Sequence, residues 1–231
     1  VKFCCQLKMT IDKLNKELTT CTLCPRLVEF RQKIAKDKRK SFESWKYWGK
    51  PVPGYGNDKA RLMILGLAPA AHGGNRTGRV FTGDKSADFL MKCLHDTGLA
   101  NQVNSDYRDD GLILYDAFMT VALKCVPPGD KPKAEELQNC QPFLAKEFEI
   151  LNQVSTILCL GKIAFDATLR YWRQFYDFKM KDYTFGHDVQ YILPNGLQLV
   201  GSYHPSPRNV NTKRLTYDMM VIFLEKLKGI L

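Results

Sequence analysis

No apolar run in the 231-residue chain approaches the ~18 residues that a membrane-crossing helix needs, which excludes a helical span. The first residues, VKFCCQLKMTIDKL, have no apolar h-region and no small-residue cleavage site. The sequence therefore predicts a chain kept inside the cell, in the cytoplasm. Internal repeats and low-complexity stretches are absent. So are the Walker pattern GxxxxGK[ST] and the dinucleotide pattern GxGxxG, which removes the two commonest phosphate-binding loops. Disulfide pairing of the eight cysteines does not suit a reducing compartment, so metal ligation is the better use for some of them.

What is present is an ordinary globular composition, with 45% hydrophobic and 25% charged residues. A chain of this length can bury a core without disulfide staples. Its net charge of +10 suits a polyanionic partner such as nucleic acid, although a basic surface alone is also compatible with a solvated protein. The strongest charge run, KIAKDKRK at 33–40, reads as a solvated helix end, with DNA-phosphate contact as the sharper alternative. The aromatics Trp45, Tyr47 and Trp48 follow it.

From Arg61 onward strands and helices alternate. Leu62–Leu67 and Val154–Leu160 are short apolar runs that read as buried strands, and Leu112–Leu123 contains another. Ser86–Asp96, Ala134–Leu151 and Ile163–Trp172 have helical apolar spacing. Tyr191–Leu193 and Leu197–Tyr203 flank Pro194, Asn195 and Gly196 as a hairpin or bent edge strand, and a last helix is expected from about Thr212. The pattern predicts a three-layer α/β/α sandwich around a mainly parallel sheet, as a single domain over 1–231 with a helical, cysteine-bearing N-terminal segment over about 1–60. Ligands of such sheets bind where loops leave the carboxyl ends of strands. The loops after Leu67, Leu123 and Tyr203 are therefore the places to look for chemistry.

Cys21 and Cys24 form a CxxC, and Cys125 and Cys140 form a second, more widely spaced pair. Brought together, four thiolates can hold zinc or an iron–sulfur cluster. The lack of a second CxxC favours the cluster. Cys93 and Cys159 lie in apolar runs and read as core, and Cys4 and Cys5 receive no role. In the loop Gly66–Asp84, GLAPAAHGGNRTGRVFTGD, the glycines permit close approach of a ligand, and Phe81 can present a flat aromatic face to a ring, although taken alone it reads more safely as core packing. Asp84 is placed to cap the helix beginning near Ser86. In SYHPSPRNVN, His204 follows a strand end and precedes two prolines that stiffen the backbone.

GLAPAAHGGNRTGRVFTGD and HPSPRN resemble motifs one and three of the uracil-DNA glycosylase superfamily, and more narrowly those of its fifth family. KCVPPGDKP resembles the end of motif two, and the spacing of Cys21, Cys24, Cys125 and Cys140 is similar to the four-cysteine cluster of the fourth and fifth families. The resemblance runs from about Cys21 to Leu215. It implies a hydrolase that flips uracil out of DNA and cuts its N-glycosidic bond, a 4Fe-4S cofactor, a monomer and a prokaryotic, nucleoid-associated setting. It also implies that Gly66, Leu67, His72, Phe81, Asp84, Ser206 and Arg208 shape the base and DNA site, that Phe81 stacks on the base, and that His204 stabilises the departing base.

In sister families the third position of motif one is Asp, Asn or Glu and serves the attacking water. Here that position is Ala68, so Asn75, Asn209 or Asp84 is expected to position the water. The strand LILYDAFMTVALK lacks the motif-two Asn that reads uracil in the fourth family, which implies a broader pocket that also takes hypoxanthine, xanthine and modified uracils. Asp130 stands where Asn is expected, and its role is left open. Two other readings compete: a non-catalytic, cluster-bearing nucleic-acid-binding protein, favoured by Ala68, and a metal-dependent nucleotide hydrolase on a similar sheet.

Overall fold

The computed structural model describes residues 9–231, so Cys4 and Cys5 lie outside the described residues. In chain order the elements are α1 (Ile11–Thr19), α2 (Pro25–Asp37), β1 (Tyr55–Gly56), β2 (Leu62–Gly66), α3 (Gly74–Thr77), α4 (Lys85–Asp96), β3 (Ala117–Val121), α5 (Ala134–Ile150), β4 (Thr156–Leu160), α6 (Lys162–Trp172), β5 (Val189–Ile192), β6 (Gln198–Ser202), α7 (Pro207–Asn211) and α8 (Tyr217–Lys228). The sheet order is β1-β3-β2-β4-β6-β5. The four inner strands are parallel, and both edge strands run antiparallel to their neighbours. Every residue of β2, β3 and β4 is buried, which is why each reads as an unbroken apolar run rather than an alternating one.

Alternation along the strands divides the core in two. Leu62, Ile64, Met119, Leu158 and Val200 pack against α4 and α8 on one face. Met63, Leu65, Phe118, Ile157 and Leu199 pack against α5 and α6 on the other. The expected α/β/α sandwich is thus present. The helical N-terminal segment adds α1 against α5, with Leu14, Leu18 and Leu27 buried beside Cys140 and Phe143. Cys93 and Cys159 are core residues as read from sequence. No helix among the described residues is long and apolar enough to cross a membrane.

One expectation needs correction. The last helix begins at Tyr217, not near Thr212. Pro207 at the first helical position and Ser206 at the cap start the separate short helix α7, which ends at Asn211 with Thr212 as its C-cap, and Lys213 then turns the chain with φ +57°. The basic run lies at the end of α2, which stops at Asp37, and Lys33, Lys36, Arg39 and Lys40 are exposed there, an arrangement open to both of its readings.

Candidate active site

The inner strands β2, β3, β4 and β6 end at one edge of the sheet, and the chemistry-bearing loops leave from there. Backbone bonds from Ala122 N–H to Gly66 O and from Leu123 N–H to Leu67 O tie the first loop to the second. Gly66 is a seat for Phe81: a Cβ at Gly66 would lie 2.8 Å from Cζ and 2.9 Å from Cε2 of that ring. Phe81 itself has φ +46°, in the left-handed region, and is buried. An L-residue held there is strained, and such strain persists only where the surroundings enforce it. The ring it positions faces His204, with centroids 6.0 Å apart and planes tilted by 31°.

Burial pushes the His204 imidazole down to about 4, against a smaller upward pull from nearby Asp130. The ring is therefore neutral at physiological pH and can donate one N–H. Its backbone is braced on two sides. Asn209 Nδ2 donates to His204 O at 2.8 Å, and Ser206 N–H donates to the same oxygen at 2.7 Å. The Ser206 hydroxyl also accepts from Asn209 N–H as the cap of α7. Ser206 and Asn209 thus hold the histidine in place, while Arg208 is exposed on the same short helix.

Asp84 has two roles available. Its Oδ1 accepts from Ser86 and Ala87 N–H and caps α4. Its Oδ2 lies over Gly73, where an added Cβ would sit 2.1 Å away, so only glycine fits at that position. Burial raises the Asp84 pKa, with the two capping bonds opposing it. Arg39, Trp45, His72, Asp84, Asp130 and Pro207 line a cleft of about 640 Å³, within the usual range for ligand sites. His72 Nδ1 pairs with Tyr47 Oη at 3.0 Å, and burial, then Arg39 and Arg76, lower its pKa. Asp130, left open by the sequence, thus belongs to this cleft.

Asn75 is placed differently from the expectation. It is buried, and its Nδ2 donates to Arg31 O at 3.2 Å, so the amide faces α2. Ala68 is half-buried and packs against the cysteine-bearing cluster. Sequence reasoning missed Arg76. Its guanidinium lies 4.0 Å from the ring centroids of both Phe42 and Trp45, and it donates to His72 O and Gly83 O. The aromatic run after the basic segment was the one available signal, because flat side chains often stack on arginine.

Cys21, Cys24, Cys125 and Cys140 come together around one small cavity walled by Leu18, Leu27 and Phe143. Among the described residues, no three His, Cys, Asp or Glu side chains converge closely enough to hold a single ion. A lone zinc would draw four sulfurs to roughly 3.8 Å of one another. Four thiols gathered around one cavity are a donor set that either zinc or an iron–sulfur cluster can use. Three of the sulfurs already have N–H donors: Arg31 Nη1 to Cys125 Sγ at 3.7 Å, Lys124 N–H to Cys140 Sγ at 3.2 Å and Asn139 Nδ2 to Cys24 Sγ at 3.7 Å.

Comparison with known proteins agrees with this geometry. A family model described as the Uracil DNA glycosylase superfamily matches residues 53–228. The chain belongs to the uracil-DNA glycosylase superfamily. Among curated relatives, a type-5 uracil-DNA glycosylase of Thermus thermophilus is 43% identical over 95% of this chain and 98% of its own length. The type-5 uracil-DNA glycosylase of Pyrobaculum aerophilum is 42% identical over 93% of this chain and 91% of its own. That of Mycobacterium bovis is 44% identical over 96% of this chain and 83% of its own. Within this superfamily member, the matched region carries the Phe81–His204 pair, the Asp84 carboxylate and two of the four cysteines, Cys125 and Cys140.

Proposed function

We propose that this superfamily member excises uracil from DNA by hydrolysing the N-glycosidic bond, and that it also accepts hypoxanthine, xanthine and modified uracils. The observation that carries the reading is the neutral, half-buried His204 facing a strained Phe81 on a glycine seat. Reaching that pair requires a flipped base, which costs a few kcal/mol and least at a mismatch. Phe81 stacks on the base, worth ~1–3 kcal/mol. As the bond between the sugar carbon and the base nitrogen breaks, its electron pair leaves with the base. The His204 N–H then donates to the carbonyl oxygen on which negative charge collects, a contact worth ~3–4 kcal/mol.

Water completes the reaction at the sugar carbon and must lose a proton. Ala68 cannot take it, Asn75 faces α2, and Asn209 braces His204. Asp84 is the remaining candidate: it lines the cleft, Oδ1 fixes the carboxylate through the helix cap, Oδ2 lies over Gly73 free of that cap, and burial makes the group more basic than usual. The broader base range rests on a motif-two strand that offers no amide, since β3 reads Ala117, Phe118, Met119, Thr120 and Val121.

Cys21, Cys24, Cys125 and Cys140 would hold the 4Fe-4S cluster. Bound there, the cluster would cross-link the connection between α1 and α2, the loop after β3 and α5. The three N–H donors to sulfur support this assignment.

The decisive experiment is single-turnover excision on U·G, hypoxanthine and xanthine duplexes, with alkali to reveal abasic sites. Wild type should cleave, and Asp84→Asn should lose at least 100-fold while still binding DNA. No abasic sites at any enzyme excess would refute the reading, and an unimpaired Asp84→Asn would remove Asp84 from it.

A further inference from the structure

Arg31, on α2, is 4% exposed, yet its guanidinium has no acidic partner. Every ion pair among the described residues involves other cations. Its Nη2 donates to Cys21 O at 3.2 Å, its Nη1 points to Cys125 Sγ at 3.7 Å, and its Nε is buried without a partner. A guanidinium does not shed its proton in proteins, so this is a permanent charge out of contact with water. Burying such a charge uncompensated is strongly unfavourable. The feature needs an anion, and among the described residues the one acidic group that its guanidinium contacts is the Cys125 thiol.

We propose that Arg31 is the built-in counter-charge of the four-cysteine site, and that it sets both the retention and the reduction potential of the group held there. This rests on the iron–sulfur reading above. Four thiolates outweigh the positive charge of an iron–sulfur core, leaving the site net negative, and reduction adds one more negative charge. A fixed cation at the sulfurs therefore favours the reduced form and raises the potential. The position of Arg31 is not free to drift, because its carbonyl accepts from Asn75 Nδ2 in the active-site loop. Arg31 acts through the sulfurs and touches neither base nor sugar, so it is a positioning residue.

The test uses the full chain purified without oxygen, as wild type, Arg31→Met and Arg31→Lys. Iron and sulfide content are measured first, and then the midpoint potential is followed by visible absorption. Wild type without iron refutes the cluster reading itself. Given a loaded wild type, Arg31→Met should either keep its iron at a lower potential, with Arg31→Lys between the two, or lose iron that Arg31→Lys retains. An unchanged potential in a loaded Arg31→Met overturns the proposal. Equal loss of iron from both variants also overturns it, because packing rather than charge would then explain the residue.

Discussion

Phe81 provides a measurement in which backbone and side chain pull in separable directions. At φ +46° an L-residue in the left-handed region costs roughly 1–2 kcal/mol. In an ordinary position, glycine is less stable than alanine by about 0.5–1 kcal/mol, through the entropy of the unfolded chain. At this position the order should invert, with Phe81→Gly more stable than Phe81→Ala by about 1 kcal/mol. For a chain of this size that is a Tm difference of about 2–4 °C, readable by thermal unfolding. Activity should not follow stability, because both variants lose the ring. Each should excise uracil about 5- to 150-fold more slowly under single turnover, corresponding to ~1–3 kcal/mol of stacking, with nonspecific DNA binding unchanged. Gly66→Ala supplies the matching steric probe: its Cβ would stand 2.8 Å from the Phe81 ring, so the ring must move and activity must fall with the backbone of residue 81 intact. If Phe81→Gly proved less stable than Phe81→Ala, the strain argument would be wrong. Wild-type rates in Phe81→Ala would refute the stacking role.

Two further sites carry predictions. His204 is held down to about 4 when folded and lies near 6.5 when unfolded, so the unfolded chain binds more protons between these values. Stability should therefore fall as pH drops through that window, by on the order of 2–3 kcal/mol at pH 4.5, and the fall should be absent in His204→Asn by urea titration. The same variant should lose about 100- to 1000-fold in uracil excision, whereas wild-type kcat shows no histidine step between pH 6 and 8. Glu147→Gln should leave the fully buried Lys124 ammonium, now 2.7 Å from Glu147 Oε1, without its carboxylate, costing about 3–5 kcal/mol by chemical denaturation. The double change Lys124→Met with Glu147→Leu should recover most of that loss, and failure to recover would mean the pair supports more than its own charges.

The parts of the fold legible in the sequence were those set by local pattern. β2 and β4 announced themselves as apolar runs, and α4, α5 and α6 as helical stripes, because fully buried strands and one-sided helices differ in period. Phe81 stood out chiefly through the resemblance of its loop to a family motif, since alone it reads as core packing, and His204 through its rigid, proline-flanked place after a strand end as well. What sequence could not assign was the direction of polar side chains. Asn75 and Asn209 look equivalent as water ligands, but one amide turns to Arg31 O and the other to His204 O. That choice is made by α2, 44 residues away, and by the turn into α7. Arg31 was invisible for the same reason, since nothing near it in the chain marks a helix arginine as buried against sulfur.

Asp84 shows how these two levels interact. Read locally it is a helix cap, and the structure confirms the cap through Oδ1. A cap fixes the carboxylate plane and leaves the other oxygen to point wherever the turn directs it. Here it points over Gly73, a position with no room for a Cβ. A side chain at Gly73 would displace the carboxylate, and the half-buried carboxylate gains basicity from the same close packing. The structural and catalytic readings of Asp84 are therefore not alternatives. The bond that makes Asp84 look merely structural is what would hold its second oxygen still enough to orient a water molecule, in a family member whose Ala68 supplies no such group.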